Sequence, residues 1–473
     1  KKTSRKRSIP RSTSKDSNLS ETATFVFTSI YKQNPSGYCH SIFSVTSRFT
    51  IDSRASRYQT VPMFRHWSLR VVLAAALFAS LTQGCRLGDS GWNQKTTAVY
   101  PAWDKEKMAE IETSVQERIN NGDIPGGVLR IHMESSRSAD RNRKARAYDR
   151  TVVFGDKALQ PNVEPNSEDT IYDLASLTKV VATAPSIMLL QERGLIDVDA
   201  PASQYLPSFT NSAQKTITVR HLLTHTSGLR PGISYKGWSG YNAGVATACK
   251  ELPRQEPGTK FVYSDINFIL LGEIVRTVSS KRIDQFALEN IYKPLGMVDT
   301  CYNPPSEKTD RIAPTQLTDG AILRGVVHDP TARTMDGVAG HAGIFSTVAD
   351  LALYNNMLLH EGRYGKNLKR QLFKPETVRL MASTQSPADL EAKRSLGWDV
   401  ATGYSSPRGD IFPPGESFGH TGFTGTSMWI LPKEGIFYIF LSNRVHPNGK
   451  GNVLGLQRVL GTKIAEMKSL FPE

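Results

Sequence analysis

Long apolar runs are nearly absent from this chain of 473 residues. The longest one that stands out covers only residues 71–81, which excludes a protein with several membrane spans. Cysteine is also scarce, because four residues are too few for a small scaffold built on disulfides. The composition, 39% hydrophobic and 22% charged, excludes a collagen, a coiled coil and a wholly disordered polymer. We therefore expect a globular protein that buries a sizeable core.

The positive charge of the chain is concentrated near its N-terminus. Residues 1–62 carry 11 Lys and Arg against 3 Asp and Glu, and residues 86–473 have a net charge of only +4 out of the total of +14. Residues 86–473 carry positive and negative charges in nearly equal numbers, so they offer no basic stripe that could bind along a phosphate backbone. The sequence therefore predicts no nucleic-acid partner.

The N-terminal part of the sequence is typical of segments that are not part of a fold. Residues 1–62 contain 21 Ser and Thr and little apolar periodicity, so we expect this leader to be disordered. Residues 63–70 form a short basic region, the apolar run follows, and TQGC ends the segment at Cys85. This order predicts a secretory signal peptide over residues 63–84, with a linker over residues 85–104.

Two expectations follow from the signal segment. Translation is expected to begin at Met63, which would make residues 1–62 an over-extended reading frame. Cys85 after Gly84 resembles a lipoprotein processing site, although Thr82 and Gly84 also suit an ordinary signal peptidase. The protein is therefore expected to be exported, and to be either periplasmic or anchored to the cell envelope by a lipid on Cys85.

From residue 105 to residue 473 the pattern indicates one globular domain. Residues 128–133 and 151–154 are predicted strands, and residues 418–431 and 436–441 flank the turn sequence PKEG as a hairpin does. Between these strand regions lie predicted helices over residues 176–193, 219–223 and 267–278, and a last helix covers residues 454–468. Strands at both ends with helices between them predict an α/β (α+β) fold, in which an antiparallel sheet is flanked by helices and carries an inserted helical subdomain.

The sequence SLTK at residues 176–179 is a candidate nucleophile motif. On a helix, Ser176 and Lys179 share one face a turn apart, so the lysine amine can reach the serine hydroxyl. A serine needs a neighbouring base, and a lysine can act as one only if burial or nearby charge lowers its pKa. At the start of a helix, Ser176 would also lie beside free backbone N–H groups that stabilise an oxyanion.

Taken alone, this S-x-x-K spacing is a weak signal. Three other copies occur in the chain, two in the leader and one at Ser212 and Lys215, and Ser176 could simply be the N-cap of a helix. The copy at residue 176 differs from the others because the sequence IYDLA precedes it and an apolar helix face follows it.

Two later motifs complete an ordered set: YSD at residues 263–265, and GHTGFTGT at residues 419–426. The order S-x-x-K, Tyr-x-Asn, Lys-Thr-Gly marks the penicillin-recognising serine hydrolases, and the tyrosine-type middle motif resembles their class C β-lactamase branch. The sequences HTSGL at residues 225–229 and GHAGIFS at residues 340–346 add to this resemblance. The whole set is similar to low-molecular-weight penicillin-binding proteins of the D-alanyl-D-alanine carboxypeptidase type.

The resemblance implies a role for each matching residue. Ser176 attacks the substrate carbonyl, while Lys179 and Tyr263 carry its proton to the leaving group. The backbone N–H groups of Ser176 and Phe423 form the oxyanion hole. Substrate lies along the strand, where the implied substrate-binding residues are Asp265, His420, Thr421 and Gly422.

Two residues depart from the family pattern. Asp265 stands where Asn is usual, so it should favour a charged Lys179 and repel anionic substrates. His420 stands where Lys is usual, and a partly protonated histidine anchors a substrate carboxylate less well. Both changes weaken the expectation of β-lactam hydrolysis more than the expectation of acyl transfer.

The resulting hypothesis is an exported serine acyl hydrolase that forms an acyl-enzyme and cleaves amides, as β-lactamases and D-Ala-D-Ala carboxypeptidases do. Its substrate would be a small molecule or peptide, namely a cell-wall peptide, a β-lactam or an ester. No metal or organic cofactor is expected, and none of the 10 His falls in an H-E-x-x-H spacing. The alternatives are a carboxylesterase that uses the same serine and a catalytically silent binding homologue.

Several other residues have more ordinary interpretations. His225 is expected to close a helix and a turn, and His341 to pack in the interior or to lie near the site. His328 and Asp329 are adjacent and suggest a charge-relay pair, although loop hydrogen bonding is the simpler interpretation. Cys249 and Cys301 could pair or remain free.

Overall fold

A computed structural model describes residues 26–33, 39–46, 102–135 and 147–471. Within these ranges, no helix combines the length and the apolar character that crossing a bilayer requires. The predicted signal segment, Cys85 and most of the predicted linker lie outside the described residues, so the expectations about them stay predictions.

The N-terminal unit, which ends at Gly88, contains two described strands. β1 (Val26–Gln33) and β2 (Cys39–Thr46) pair antiparallel, with Val26 opposite Thr46 and Gln33 opposite Cys39. Both strands contain β-branched and aromatic residues, which favour extended backbone. The disorder expected of residues 1–62 stays a prediction for the part of that segment that the structure leaves undescribed.

The second unit, from Asp89 to Glu473, contains the larger fold. Its strands are β3 (Gly126–Glu134), β4 (Ala147–Ala158), β5 (Glu164–Pro165), β6 (Tyr172–Asp173), β7 (Cys301–Tyr302), β8 (Leu317–Thr318), β9 (Ala321–Ile322), β10 (Ile344–Ser346), β11 (Arg363–Tyr364), β12 (Arg370–Gln371), β13 (Lys393–Arg394), β14 (Asp399–Ala401), β15 (Phe418–Thr421), β16 (Ser427–Leu431) and β17 (Ile436–Ser442). Eight of them form one sheet in the order β13-β14-β15-β16-β17-β3-β4-β5, and every neighbouring pair is antiparallel.

The helices of this unit surround the sheet and form the region inserted into it. They are α1 (Ala102–Asn120), α2 (Ala184–Glu192), α3 (Val219–Leu223), α4 (Tyr241–Cys249), α5 (Asp265–Ser279), α6 (Ile283–Ala287), α7 (Lys293–Leu295), α8 (Pro330–Thr334), α9 (Val348–Leu359), α10 (Pro375–Ala382) and α11 (Leu454–Leu470). Shorter 3₁₀ or π turns cover Ala175–Leu177, Lys179–Thr183, Ala202–Gln204, Leu288–Tyr292, Ser306–Arg311, Lys366–Leu368 and Ser406–Arg408.

Strand β17 is buried on both faces, because its side chains alternate between two cores. Ile436, Tyr438 and Phe440 face the core that α1 and α11 cover, while Phe437 and Ile439 face the larger core beneath α9. Successive side chains of a strand point to opposite faces of the sheet. A strand that is covered on both faces therefore has a nearly continuous apolar sequence. The predicted α+β architecture is confirmed, with the helical region inserted between β5 and β13.

The helix predicted over residues 176–193 is instead three consecutive segments. A 3₁₀ turn covers Ala175–Leu177, a π turn covers Lys179–Thr183, and α2 begins only at Ala184. Pro185 lies in the first turn of α2, where its ring has no N–H to donate and crowds the carbonyl four residues earlier. A regular α-helix through that position is therefore disfavoured, and the wider π turn accommodates the proline.

The two body cysteines do not form a disulfide. Cys249 is buried and Cys301 is half-buried, and both are free thiols. Burial raises the pKa of both thiols, so neither is a reactive thiolate at neutral pH.

Candidate active site

Ser176 lies on a sharp turn that follows strand β6. Ala175, the residue before it, has a φ of +46°, which is in the left-handed region that L residues rarely adopt. Ser176 is then the middle residue of the 3₁₀ turn, and Lys179 begins the π turn. Despite the change of helix type, Lys179 Nζ lies 2.9 Å from Ser176 Oγ and donates a hydrogen bond to it.

Lys179 has no exposed surface, and three oxygen acceptors surround its amine. Besides Ser176 Oγ, these are the carbonyl of His341 at 3.2 Å and Oδ1 of Asp265 at 2.7 Å. Burial acts to lower the pKa of Lys179, but the Asp265 carboxylate and the Tyr263 hydroxyl outweigh burial and raise it above its usual value. Lys179 is therefore an ammonium in the resting site, as the Asp265 substitution predicts, and it does not have the lowered pKa of a lysine base.

The YSD motif at residues 263–265 ends at the first residue of α5, and His225 contacts the motif. Ser264 N–H donates to Nδ1 of His225 at 3.0 Å, and the ring of His225 lies 4.4 Å from that of Tyr263 between centroids. Burial, with Arg394 and Lys179 adding to it, lowers the pKa of His225 well below its usual value, so the imidazole is neutral and its Nδ1 accepts. His225 has a φ of +59° after α3 and closes the turn as expected, but it also supports the tyrosine.

His420 lies on β15 and is buried. Its Nδ1 lies 2.8 Å from the carbonyl of Thr421, which requires the proton on that nitrogen and leaves Nε2 as an acceptor. Burial, together with the charges of Arg394 and Lys179, lowers the pKa of His420 well below its usual value. The partly cationic anchor expected at this position is therefore a neutral imidazole.

The turn after β15 lies against the turn Ala175–Leu177, which we name the nucleophile turn after the predicted role of Ser176. Gly422 N–H donates to the carbonyl of Thr426 at 2.7 Å, and the Thr426 hydroxyl donates to the carbonyl of Leu174 at 3.1 Å. A Cβ on Gly422 would lie 2.4 Å from the same Leu174 oxygen, so only glycine permits this approach. Within the described part of the chain, the N–H of Phe423 has no hydrogen-bond acceptor, which leaves it available as the predicted oxyanion donor.

The predicted residues meet at one cavity of about 540 Å³. Its lining includes Ser176, Tyr263, His420, Thr421, Gly422 and Phe423, and also Arg394, Asp399, Tyr404, Arg444, Lys450, Gly451, Asn452, Val453, Leu454 and Gln457. Asp265 contacts this set through Lys179. The sequence motifs thus converge in space, although their catalytic roles stay predictions.

Arg394 is a site residue that the sequence analysis missed. Its side chain has no exposed surface, its Nη2 donates to the carbonyl of Gly397 at 2.7 Å, and its Nη1 lies 3.8 Å from Asp399. Among the described residues, Nε and Nη1 have no hydrogen-bond partner. Burial lowers the pKa of Arg394, but a guanidinium stays charged at neutral pH. In the sequence KRSLGWDV the arginine stands between Lys393 and Ser395, so no motif or periodicity pointed to it.

Asp329 pairs with His341 rather than with the adjacent His328. Nε2 of His341 lies 2.9 Å from Oδ1 of Asp329, while Nε2 of His328 contacts Oε1 of Gln316 at 2.9 Å. Burial acts to raise the pKa of Asp329, but the His341 contact outweighs it and lowers that pKa. The suggested His328–Asp329 relay is therefore wrong, because the two side chains have different partners.

Asp265, Asp329 and His341 form the one group of potential metal ligands among the described residues. One ligand atom from each lies within 4.8 Å of the others. The Lys179 ammonium contacts Asp265, and Asp329 already accepts from His341, so these donors are engaged in the protein's own network. Asp265 thus faces the Lys179 ammonium, and the side chains of Asp329 and His341 are paired with each other.

A model of the β-lactamase family matches residues 115–462. The chain belongs to the β-lactamase family. Among its relatives is the "Putative D-alanyl-D-alanine carboxypeptidase" of Escherichia coli O157:H7, which is 33% identical over 375 residues, or 72% of this chain and 83% of that protein. The chain is thus related to serine hydrolases whose substrates are small molecules or peptides, such as cell-wall peptides and β-lactams.

Solved structures have the same fold as this β-lactamase family member. A class C β-lactamase has a TM-score of 0.59 at 20% identity, covering 78% of this chain and 98% of that one. An octameric penicillin-binding protein homologue from Pyrococcus abyssi has a TM-score of 0.57 at 22% identity, covering 76% and 78% of the two chains. These likenesses show that the chain has the β-lactamase fold.

The substitution Asp265→Asn tests the charge that surrounds Lys179. Removing the carboxylate takes away the main group that raises the pKa of Lys179, so we expect this pKa to fall by about 1 to 3 units. The pH dependence of serine acylation by a neutral nitrophenyl ester measures this shift. Acylation by an anionic β-lactam should also become faster relative to the ester, because a repelling charge is lost.

Asp265→Glu keeps the charge and serves as the control for this substitution. Its pH dependence and its ester-to-lactam ratio should stay close to those of the wild type. An Asp265→Asn protein with an unshifted pH profile and an unchanged ratio would contradict the assigned role of Asp265.

Proposed function

We propose that this protein hydrolyses amides through an acyl-enzyme on Ser176, and that its substrate is a peptide or β-lactam that ends in a carboxylate. The observation that carries the proposal is the hydrogen bond of 2.9 Å between Lys179 and Ser176 on a cavity that also contains the buried cation of Arg394. The name of the relatives, D-alanyl-D-alanine carboxypeptidase, agrees with a substrate of this kind.

Tyr263 is the group best suited to move the serine proton. Lys179 is already charged and donates to Ser176 Oγ, so it has no lone pair for that proton. The phenol of Tyr263 can accept the proton from Oγ while it delivers its own phenolic proton to the leaving nitrogen. The ammonium beside it would stabilise the negative charge that builds up on Oγ and on the phenol oxygen during this transfer.

The acylation step then needs no group other than the substrate and the residues at the cavity. Oγ of Ser176 bonds to the carbonyl carbon, the carbonyl oxygen becomes negative in the oxyanion hole, and the N–H groups of Ser176 and Phe423 are its proposed donors. Collapse of this intermediate breaks the C–N bond and releases the amine, which carries the proton from Tyr263. Water repeats the sequence in reverse on the ester to release the acid.

Arg394 supplies the positive charge that His420 lacks. The imidazole of His420 is neutral, so it offers no charge to a substrate carboxylate. Arg394 is buried in the lining of the same cavity, and its Nε and Nη1 have no hydrogen-bond partner in the described part of the chain, although Nη1 lies 3.8 Å from Asp399. Arg444 and Lys450 also line this cavity. A guanidinium can bind a carboxylate through two parallel hydrogen bonds, which favours an anionic substrate.

A carboxylesterase remains the second candidate, because part of the cavity wall is apolar. Phe423 and Leu454 line the cavity and are 62% and 61% exposed, and Tyr404 also lines it. Such a surface suits an acyl chain without charge. The two candidates share Ser176 and differ in their dependence on Arg394.

We also propose that the protein acts outside the cytoplasm. The support is the basic, apolar and small-residue order of residues 63–85, which is typical of a signal peptide. Cell-wall peptides, the substrate class to which the relatives point, also lie outside the cytoplasmic membrane. Lipid attachment at Cys85 belongs to the same proposal.

Intact-mass spectrometry after exposure to a β-lactam and to a nitrophenyl ester tests the nucleophile. The wild type should gain one adduct, which maps to Ser176, and Ser176→Ala should gain none while it unfolds at nearly the same temperature. Ser212→Ala is the matched control, because Ser212 also stands three residues before a lysine but lies exposed in a turn. An adduct on Ser176→Ala, or none on the wild type, would contradict the proposed mechanism.

Arg394→Gln should separate the two candidate functions. Loss of a charge-assisted bond of about 1.5–3 kcal/mol predicts a KM about 10- to 100-fold higher for a carboxylate-ended peptide. The kinetics with a neutral nitrophenyl ester should change little, and Arg394→Lys should recover part of the peptide affinity. Equal losses with both substrates would argue that Arg394 has only a structural role.

A further inference from the structure

The buried carboxyl of Asp173 contacts the turn that contains Ser176. Its Oδ1 accepts the N–H of Ala175 at 2.9 Å, and its Oδ2 accepts the N–H of His328 at 2.7 Å. Its backbone carbonyl accepts the hydroxyl of Thr424 at 2.7 Å. Asp173 thus connects the nucleophile turn with the loop before α8 and with the turn that contains Phe423.

The bond to Ala175 acts on a strained position. Ala175 has a φ of +46°, a conformation in which its Cβ is crowded, and a non-glycine residue keeps it only when the surroundings enforce it. The N–H that Asp173 holds belongs to this same residue, and Ser176 follows directly. Relaxation of Ala175 toward a negative φ would rotate the next peptide and move the hydroxyl of Ser176 away from Lys179.

We propose that Asp173 is a positioning residue whose ionised carboxylate keeps Ala175 in the left-handed conformation and so holds Ser176 in its reactive place. This inference rests on the proposed function, since it concerns acylation of Ser176. Asp173 is absent from the lining of the cavity, so it acts on substrate only through the turn.

The charge of Asp173 matters because both of its oxygens already face N–H donors. A carboxylate accepts at both oxygens, whereas a protonated carboxyl must place a hydrogen on one of them. That hydrogen would meet the N–H of either Ala175 or His328, and one of the two bonds would be lost. Protonation of Asp173 therefore loosens the turn.

The environment of Asp173 places this protonation within an accessible pH range. Burial raises the pKa of Asp173 to about 6, although the N–H groups of His328 and Ala175 oppose the shift, as does the charge of Arg333. Asp329 adds to the increase, while its own pKa is kept low by His341. Burial also lowers the pKa of the neighbouring His328 side chain, whose charge is further disfavoured by Arg333 and Arg444, while Asp329 opposes this shift.

Stability and activity should respond to this group in opposite directions. Because the pKa of Asp173 is higher in the folded state than in the unfolded chain, the folded state binds more protons between about pH 4 and pH 6. The contribution of Asp173 to stability therefore falls as the pH rises through that range. Acylation of Ser176 should rise over the same range, because the ionised carboxylate fixes the turn.

Asp173→Asn and Asp350→Asn form a matched pair of variants. Asp350 is also buried, burial also raises its pKa to about 6, and it accepts the N–H of Asp299 at 2.7 Å and the hydroxyl of Thr300 at 2.8 Å. None of its hydrogen bonds involves the nucleophile turn. A general effect of losing a buried carboxyl would appear in both variants, whereas an effect on the turn would appear only in Asp173→Asn.

The experiment measures single-turnover acylation by a neutral nitrophenyl ester, together with urea unfolding, from pH 4.5 to pH 8. Wild type and Asp350→Asn should lose acylation rate below about pH 6. Asp173→Asn should be about 100-fold slower at pH 7.5, the order expected for a displaced nucleophile, and should lack this acidic limb. From pH 7 to pH 5 the wild type should gain stability relative to Asp173→Asn while its acylation slows.

The double variant Asp173→Asn/Ala175→Gly provides a second test, which addresses the strain at residue 175 directly. Glycine adopts positive φ without strain, so the double variant should recover at least 10-fold of the lost rate. An Asp173→Asn protein with the wild-type rate and the wild-type acidic limb would overturn the inference, as would a wild type with a flat profile over this range. A wild type that forms no ester adduct at Ser176 at pH 7.5 would instead overturn the proposed function.

Discussion

The ammonium of Lys179 is the constraint on which the rest of the site depends. A buried charge without partners would cost several kcal/mol, so the fold must bring acceptors to it. They come from three separate segments: Ser176 in the nucleophile turn, Asp265 at the start of α5, and the His341 carbonyl before β10. The same charge that prepares the serine thus fixes the helical region against the nucleophile turn.

The site redistributes positive charge relative to the family pattern that the motifs resemble. At residue 420, where that pattern has a lysine, a neutral histidine donates to its own strand, and the cation of the wall is Arg394 on β13. Asp265 adds a negative charge that is neutralised by Lys179 at 2.7 Å. The cavity therefore keeps a positive wall through residues that no motif includes.

The order of the motifs and the periodicity of the strands were enough to predict the fold and the meeting of Ser176, Lys179 and Tyr263. These features depend on local pattern: an i, i+3 spacing, a tyrosine before an apolar helix, and a strand such as β17 with apolar residues on both faces. Arg394 could not be predicted in this way, because its importance comes from which side chains surround it after folding. The same holds for Asp173, whose two N–H partners include one from His328, 155 residues further along the chain.

The two outer strands of the main sheet are very short, and at one edge the outer strand covers only the end of the strand beside it. Strand β5 has two residues, one of them Pro165, which has no amide hydrogen, and β13 at the other edge also has two residues. Strand β5 pairs with β4 at only two positions, Asp156 and Ala158, although β4 contains 12 residues. Protection of this edge against the addition of a further strand therefore depends on the shortness of β5 and on Pro165, and not on coverage of β4 along its whole length.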